Sequence, residues 1–314
     1  MQCVDSGPEV LTFRLPITAG SDRLDKVLAQ HIPEHSRSRL QSWIEAGQVW
    51  GNGTPAKVRQ QVGPGDVIEV HVQPAPEQQA FTPEDVDFDV VAQSPDWVVV
   101  NKPAGLVTHP GAGNWSGTLL NGLLFRFPEL GSVARAGIVH RLDKDTSGLL
   151  VVARNETTQT HLVRLLQART VKRVYAALAH GAITRPGKVD RSIGRDSNVP
   201  VRVSVERPVA PKEAITHYVP LACGQDADGH PVSHVQCELE TGRTHQIRVH
   251  MASIGHPLVA DVLYGGKCIA GAQRQMLHAH SLSFVDPASN TPVTFEAPLP
   301  PDFRAVMEQL VWDT

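Results

Sequence analysis

The densest run of reactive side chains lies between Gly137 and Gly148, where His140, Arg141, Asp143, Lys144, Asp145, Thr146 and Ser147 precede the apolar strand Leu149-Leu150-Val151-Val152. A polar loop set against a core strand is a common setting for catalysis, because the strand fixes the base of the loop and leaves its tip accessible. A carboxylate flanked by Arg141 and Lys144 stays ionised, since nearby positive charge favours the charged form. Asp143 so placed can act as nucleophile or base without a metal. Two other motifs overlap this loop and fit it poorly. Asp143-x-Asp145 has the spacing of the aspartates of Mg-dependent phosphatases, but there the pair follows an apolar strand, and here His140-Arg141 stands before it. Asp145-Thr146-Ser147-Gly148 resembles half of an aspartic protease site, which needs a second carboxylate to share its proton, and the chain has no second copy.

A second reactive segment runs from Glu240 to His250 and includes Arg243, Thr244, His245, Gln246 and Arg248. An alternating strand with Val235, Cys237 and Leu239 on one face leads into Gly242. Thr244 is then expected to cap a helix that stops at Gly255, with Pro257 just beyond. Ile247, Met251 and Ile254 would form its buried stripe, and Arg248, near the helix start, could reach a facing loop. His245, His250 and His256 do not share a helix face and have no carboxylate among them, so a metal site is not expected. The third segment is Lys172-Arg173-Val174-Tyr175, which places one of only three tyrosines in the chain beside two cations. Taken alone, a strand tyrosine is a packing residue. Gly111-x-Gly113-x-x-x-Gly117 departs from the dinucleotide-binding glycine pattern and lacks its strand–helix context.

The elements that must hold these residues fall into two groups. Residues 17–73 read as a small module. Ser21 or Asp22 is expected to cap a helix over Arg23–His31, and Ser36 a second carrying Leu40, Trp43 and Ile44. Gly47 stands where a left-handed stop is expected. Short β signals follow at Gln48–Trp50 and Asp66–Val72, with a Gly51-Asn52-Gly53 turn. Residues 74–80 read as a linker. Residues 81–314 interleave strands (97–101, 148–154, 174–180, 233–240) with helices (156–168, 244–254). Regular βαβ alternation is absent, so the chain reads as α+β with a mixed or antiparallel sheet.

Composition bounds the function. With 314 residues and a hydrophobic fraction of 41%, the chain can bury two cores,. No apolar run approaches the roughly 20 residues of a membrane helix. Met1–Pro16 carries Asp5, Glu9 and Arg14 and lacks a signal-peptide pattern, so a cytoplasmic location is expected. Cys3, Cys223, Cys237 and Cys268 lie too far apart for a disulfide framework or a zinc site. The net charge of -3 excludes a uniformly basic coat, yet the charge is segregated. Arg135–Arg173 holds eight Lys/Arg against three acids, whereas Glu77–Asp96 holds six acids and no Lys or Arg. A basic stretch of this kind suits a polyanion.

His140-Arg141-Leu142-Asp143 followed by Thr146-Ser147-Gly148 resembles the signature of the RluA family of pseudouridine synthases. Three further blocks appear in that family's order: Asn101-Lys102-Pro103-Ala104-Gly105, Lys172-Arg173-Val174-Tyr175 and Gly242–His250. The module with Arg23-Leu24-Asp25-Lys26 and Ser36-Arg37 is similar to an S4 RNA-binding domain. His109–Leu123 is most like members that act on the large ribosomal subunit. The resemblance implies a pseudouridine synthase fold, a mixed and largely antiparallel sheet with flanking helices and a central cleft, plus a small α/β S4-like domain. It implies isomerisation of uridine in 23S ribosomal RNA, in a stem-loop or a large-subunit precursor, without cofactor or metal. The alternatives are a non-catalytic ribosome assembly factor or a synthase acting on another RNA. By position, Asp143 matches the catalytic aspartate, Tyr175 the tyrosine under the uracil and Arg248 the arginine paired with the aspartate. Arg141 matches the arginine that replaces the flipped nucleotide in the stack. His140, Lys144 and Arg243, with Arg23, Lys26 and Arg37 of the module, are expected to contact RNA.

Overall fold

The computed structural model describes residues 9–73, 80–111 and 113–313, and the chain forms two compact units, Met1–Gln78 and Gln79–Thr314. Apart from Ala80, the expected linker lies outside the described residues.

In the first unit, β1 (Val10–Arg14), β2 (Asp22–Arg23), α1 (Leu24–His31), α2 (Arg37–Glu45), β3 (Val49–Gly51), β4 (Thr54–Pro55), β5 (Gln61–Val62) and β6 (Val67–His71) follow in order. A four-stranded antiparallel sheet runs β1-β6-β3-β4, and β2 pairs with β5. Because β1 pairs with β6 along its whole length, the unit takes in chain ahead of the expected start at Ile17. Leu24, Leu28, Leu40, Trp43 and Ile44 from the helices pack on Val49, Ile68 and Val70. Ser36 caps α2 by accepting the Arg39 N–H, and Gly47 takes the left-handed conformation at φ 72°. Neither Ser21 nor Asp22 caps α1. Its first residue, Leu24, instead gives its N–H to the Gln60 carbonyl at 2.8 Å, so pairing of the β2 and β5 segments does the work expected of a cap.

The second unit is built on a ten-stranded sheet. Its strands are β7 (Asp89–Gln93), β8 (Trp97–Lys102), β9 (Ser147–Ala153), β10 (Lys172–His180), β11 (Gly187–Asp190), β15 (Ile215–Gln225), β16 (Pro231–Leu239), β17 (Leu277–Val285), β18 (Pro292–Glu296) and β19 (Val311–Trp312). They run β11-β15-β16-β10-β17-β9-β8-β7, with β18 on β17 and β19 on β15. Every pair is antiparallel except β9 with β17, whose parallel register covers only Ser147–His278 and Gly148–Ala279. A separate three-stranded sheet comprises β12 (Ile193–Asp196), β13 (Val203–Ser204) and β14 (Pro208–Lys212). Helices α3 (Leu119–Arg126), α4 (Glu156–Gln167), α5 (Gln246–Ser253) and α6 (Pro301–Glu308) flank the sheets.

Alternation along the central strands feeds two cores. Val98, Val100, Leu150 and Val152 face α3 residues Leu120 and Leu123, whereas Trp97, Val99, Leu149 and Val151 meet Leu162 of α4 and Phe284. Covered on both faces, β9 is buried along its whole length and reads as an unbroken apolar run,.

Candidate active site

Asp143 sits on the loop entering β9, and four contacts hold that loop by its carbonyls. Thr108 Oγ1 donates to the Leu142 carbonyl at 2.8 Å, and Gly105 N to that of Lys144 at 2.9 Å. Lys102, at the end of β8 and fully buried, donates from Nζ to the carbonyls of Pro103, Leu106 and Lys144 at 2.8, 2.8 and 3.0 Å. Burial pulls its pKa down to about 7. Arg274 Nη1 donates to the Asp145 carbonyl at 3.0 Å, while its other nitrogens grip Asp302 of α6. The loop leaves through Gly148, at φ 117°, where a Cβ would lie 2.3 Å from the Ala279 carbonyl oxygen of β17.

Asp143 opens into a cleft of about 550 Å³ that is also lined by Arg141, Tyr175, Arg243, His245 and Arg248. Arg248 Nη1 donates to Asp143 Oδ2 at 3.2 Å. The same guanidinium makes a bidentate pair with Asp261, Nε to Oδ2 at 2.7 Å and Nη2 to Oδ1 at 2.8 Å. Burial alone would lower the Arg248 pKa, but the hydrogen bonds and charge of Asp261, with Asp143 behind them, raise it instead. Arg248 is therefore a fixed cation, aimed by Asp261 at the carboxylate. The lining is strongly positive, with six arginines (135, 141, 169, 173, 243 and 248) against the acids Asp143 and Glu240.

Tyr175 rises from β10 into the apolar cluster holding Leu142 and Ile247, and burial pushes its phenol pKa up. It is a neutral, rigid wall of the cleft. Arg141 is exposed and makes no ion pair with any described residue. Its planar cation is thus available for stacking.

His245 precedes α5 in a left-handed conformation, φ 54° and ψ 21°. Its Nδ1 lies 2.8 Å from Tyr264 Oη, and its Nε2 faces Asp143 Oδ2 at 3.9 Å. Burial lowers its pKa, so the ring is neutral at neutral pH.

Residues 96–253 match the family model of RNA pseudouridylate synthases, and residues 22–68 match that of the S4 domain. Ribosomal large subunit pseudouridine synthase D of Neisseria meningitidis serogroup B is 48% identical over 307 residues, covering 94% of this chain and 80% of the relative. The protein of that name from Xanthomonas campestris is 42% identical, with 96% and 92% covered. Among solved structures, human RNA Pseudouridylate Synthase Domain Containing 1 superposes with a TM-score of 0.58 at 30% identity, covering 77% of this chain and 92% of its own. The chain belongs to the RNA pseudouridylate synthase family.

In this pseudouridylate synthase, Asp143, Tyr175, Arg248, Arg141, Arg243 and His140 converge on one cleft, as their motifs suggested. His140, expected to contact RNA, also has a part within the fold. Its Nε2 accepts the Val151 N–H at 3.1 Å, and burial drives its pKa down to about 3, so it is a neutral acceptor bracing β9. Lys144 is exposed but does not line the cleft; its carbonyl, not its charge, meets the scaffold. In the S4 domain, Arg23 and Arg37 are both engaged by buried Asp25, at 3.1 and 2.7 Å, and Lys26 lies 3.5 Å from Asp22. The expected Thr244 cap is corrected. Helix α5 has no side-chain cap: Gln246 N donates to the Arg243 carbonyl at 3.2 Å, while the Gln246 Oε1 accepts from Thr241 Oγ1 at 2.8 Å and from Arg243 N at 3.0 Å and so ties the preceding turn to the helix. Sequence reasoning missed Asp261, Lys102, His245 and Tyr264 as working parts. For Asp261 one signal was available, a lone acid directly after the apolar run Leu258-Val259-Ala260.

Proposed function

We propose that this synthase converts uridines of 23S ribosomal RNA into pseudouridine, with the target presented in a stem-loop or a large-subunit precursor. The observation that carries the reading is the Asp143–Arg248–Asp261 chain at the base of an arginine-lined cleft with Tyr175 as one wall. The relatives named for the large ribosomal subunit, and the S4 domain match, support ribosomal RNA as partner. Unpaired loop bases are the usual targets of sequence-specific RNA recognition, because their edges and faces are open.

The geometry supports the following course. Phosphates engage the arginine rim, and the target nucleotide leaves the stack at a cost of about a few kcal/mol. Arg141 stacks in the vacated space, and the uracil rests against Tyr175. Asp143 acts on the ribose, as nucleophile at C1′ or as base at C2′, and the detached uracil turns and rejoins through C5. Arg248, fixed by Asp261, holds the carboxylate in place and presents a permanent positive charge to it,. Nothing in this course calls on a metal, and the cytoplasm is its setting. Among the described residues, no helix is long and apolar enough to cross a membrane.

The test is to incubate the protein, with EDTA present, on 23S rRNA lacking this modification and to map pseudouridines by carbodiimide primer extension. New stops that vanish in Asp143→Ala are the expected result. Stops only on large-subunit particles would make an assembly intermediate the substrate. No stops on either, with RNA binding intact, would sink the enzymatic reading.

A further inference from the structure

His245 is the only imidazole within ion-pairing distance of Asp143 among the described residues, and nothing in the reaction course above uses it. Three features aim it. Its backbone is left-handed, a conformation uncommon outside glycine that persists where surrounding structure enforces it. Its Nδ1 is bonded to Tyr264 Oη, which also accepts the Val203 N–H at 3.1 Å. Tyr264 is itself held, with the Arg202 and Arg248 guanidinium carbons each 5.2 Å from its ring centre.

These bonds fix the tautomer. With Val203 donating to it, the Tyr264 hydroxyl keeps one proton to give, and His245 Nδ1 is the acceptor within reach. The imidazole proton then sits on Nε2 and faces Asp143. The separation of 3.9 Å is too long for a direct hydrogen bond,. A single oxygen atom about 2.8 Å from each would bridge the two groups. Such an atom must both accept from His245 and donate to the carboxylate, as a hydroxyl oxygen does and as a water in its place would.

We propose that His245 and Asp143 together seat the 2′-hydroxyl of the target nucleotide, with His245 Nε2–H donating to its oxygen and Asp143 Oδ2 accepting its proton. His245 is then a catalytic residue that touches the substrate and a determinant of ribose over deoxyribose, since the 2′-hydroxyl distinguishes RNA from DNA at a site. The placement also serves the chemistry. The carbon bearing that hydroxyl is bonded to C1′, so a hydroxyl seated on Oδ2 brings the glycosidic carbon towards Oδ1. Arg248 on Oδ2 restrains the carboxylate in that orientation.

The inference rests on the pseudouridine synthase reading, and its test separates the two. Once a target is mapped, affinities are measured for an rRNA fragment with uridine or 2′-deoxyuridine at that position. Wild type, His245→Ala, His245→Gln and Tyr264→Phe are compared. The expected wild-type preference for ribose is roughly tenfold, the scale of one buried hydrogen bond. It falls to about twofold or less in His245→Ala and is partly restored in His245→Gln, whose amide keeps a donor. Tyr264→Phe, which keeps the imidazole and frees its tautomer, lies between. A wild type indifferent to the deoxy substitution overturns the proposal, as does an undiminished preference in His245→Ala or Tyr264→Phe. If wild type modifies no RNA, the reading of the function fails and this inference falls with it, whereas modification without ribose preference overturns the inference alone.

Discussion

Lys102 brings an ammonium group into a fully buried position and places it among three carbonyls, all from the segments that frame Asp143. No rotamer of an apolar side chain can satisfy those oxygens, and an unsatisfied buried acceptor costs about 1–3 kcal/mol. Lys102→Met should therefore lower stability by about 3 kcal/mol and, on the proposed role of Asp143, reduce kcat far more than it raises KM, because the loop it releases carries Asp143. Thermal unfolding alongside steady-state kinetics checks both parts, and an unchanged kcat would refute the scaffolding role. Lys102 also marks the limit of what single residues disclose. Asp143, Arg141, Tyr175 and Arg248 stood out because their neighbours in sequence are unusual. Asp261 and His245 do their work through partners 13 and 102 residues away, Arg248 and Asp143, and Lys102 joins its own turn to Lys144, 42 residues on. Such pairings are set by the sheet and leave little local trace. His140 shows the same limit: its motif position suggested a contact with RNA, and nothing local showed that its Nε2 also accepts the Val151 N–H and braces a strand.

Among elements, the helix pair of the S4 domain is tied together by one carboxylate. Asp25 of α1 is fully buried and accepts from Arg23, from Arg37 of α2 and from Gln41 at 2.6 Å. Burial works against its ionisation, yet these donors outweigh it and bring its pKa down to about 2 from an ordinary 3.8. With the folded value the lower of the two, Asp25 contributes stability above pH 3.8, and that contribution is lost as pH falls through about 2,. Asp25→Asn should lower stability at neutral pH by about 2 kcal/mol, within the usual span for breaking a buried charged network. It should also flatten the acid limb of the profile below pH 4, a difference readable by thermal melts between pH 2 and 7. The elements themselves were largely legible. The apolar runs of β8 and β9, the alternation of β16, the Ser36 cap and the Gly47 stop gave their places directly. Strand β1 escaped because its alternation lies ahead of the first helix signal and acquires meaning only from its partner β6. The capping errors at α1 and α5 share one cause: the first N–H of the helix goes to a backbone carbonyl, that of Gln60 in one and of Arg243 in the other.

For the whole molecule, a net charge of -3 coexists with a cleft lined by six arginines. Affinity for RNA should therefore depend steeply on salt. If Arg135, Arg141 and Arg243, which are neither buried nor ion-paired among the described residues, engage phosphate, the dissociation constant for an rRNA fragment should rise by about twentyfold to fortyfold between 50 and 200 mM salt,. A filter-binding series would measure the slope, and a flat response would remove the rim from the binding surface. The basic stretch from Arg135 to Arg173 foreshadowed this polarity, although two of its arginines are partly committed within the protein, Arg169 to Glu213 and Glu240 and Arg173 to the Leu239 and Glu240 carbonyls. Strand order was beyond sequence reasoning, since neighbours such as β9 and β17 are joined only through the tertiary fold. That junction has a bearing on how the molecule is made. Two antiparallel halves meet along a parallel seam of just two residue pairs, Ser147–His278 and Gly148–Ala279, immediately downstream of Asp143. Chains emerge from the ribosome N-terminus first and fold in that order. A nascent chain therefore displays Asp143 and the arginines of its basic stretch long before residues 274–279 arrive to seat the loop. The loop is therefore seated, and its chemistry possible, only after residues 274–279 have joined the fold.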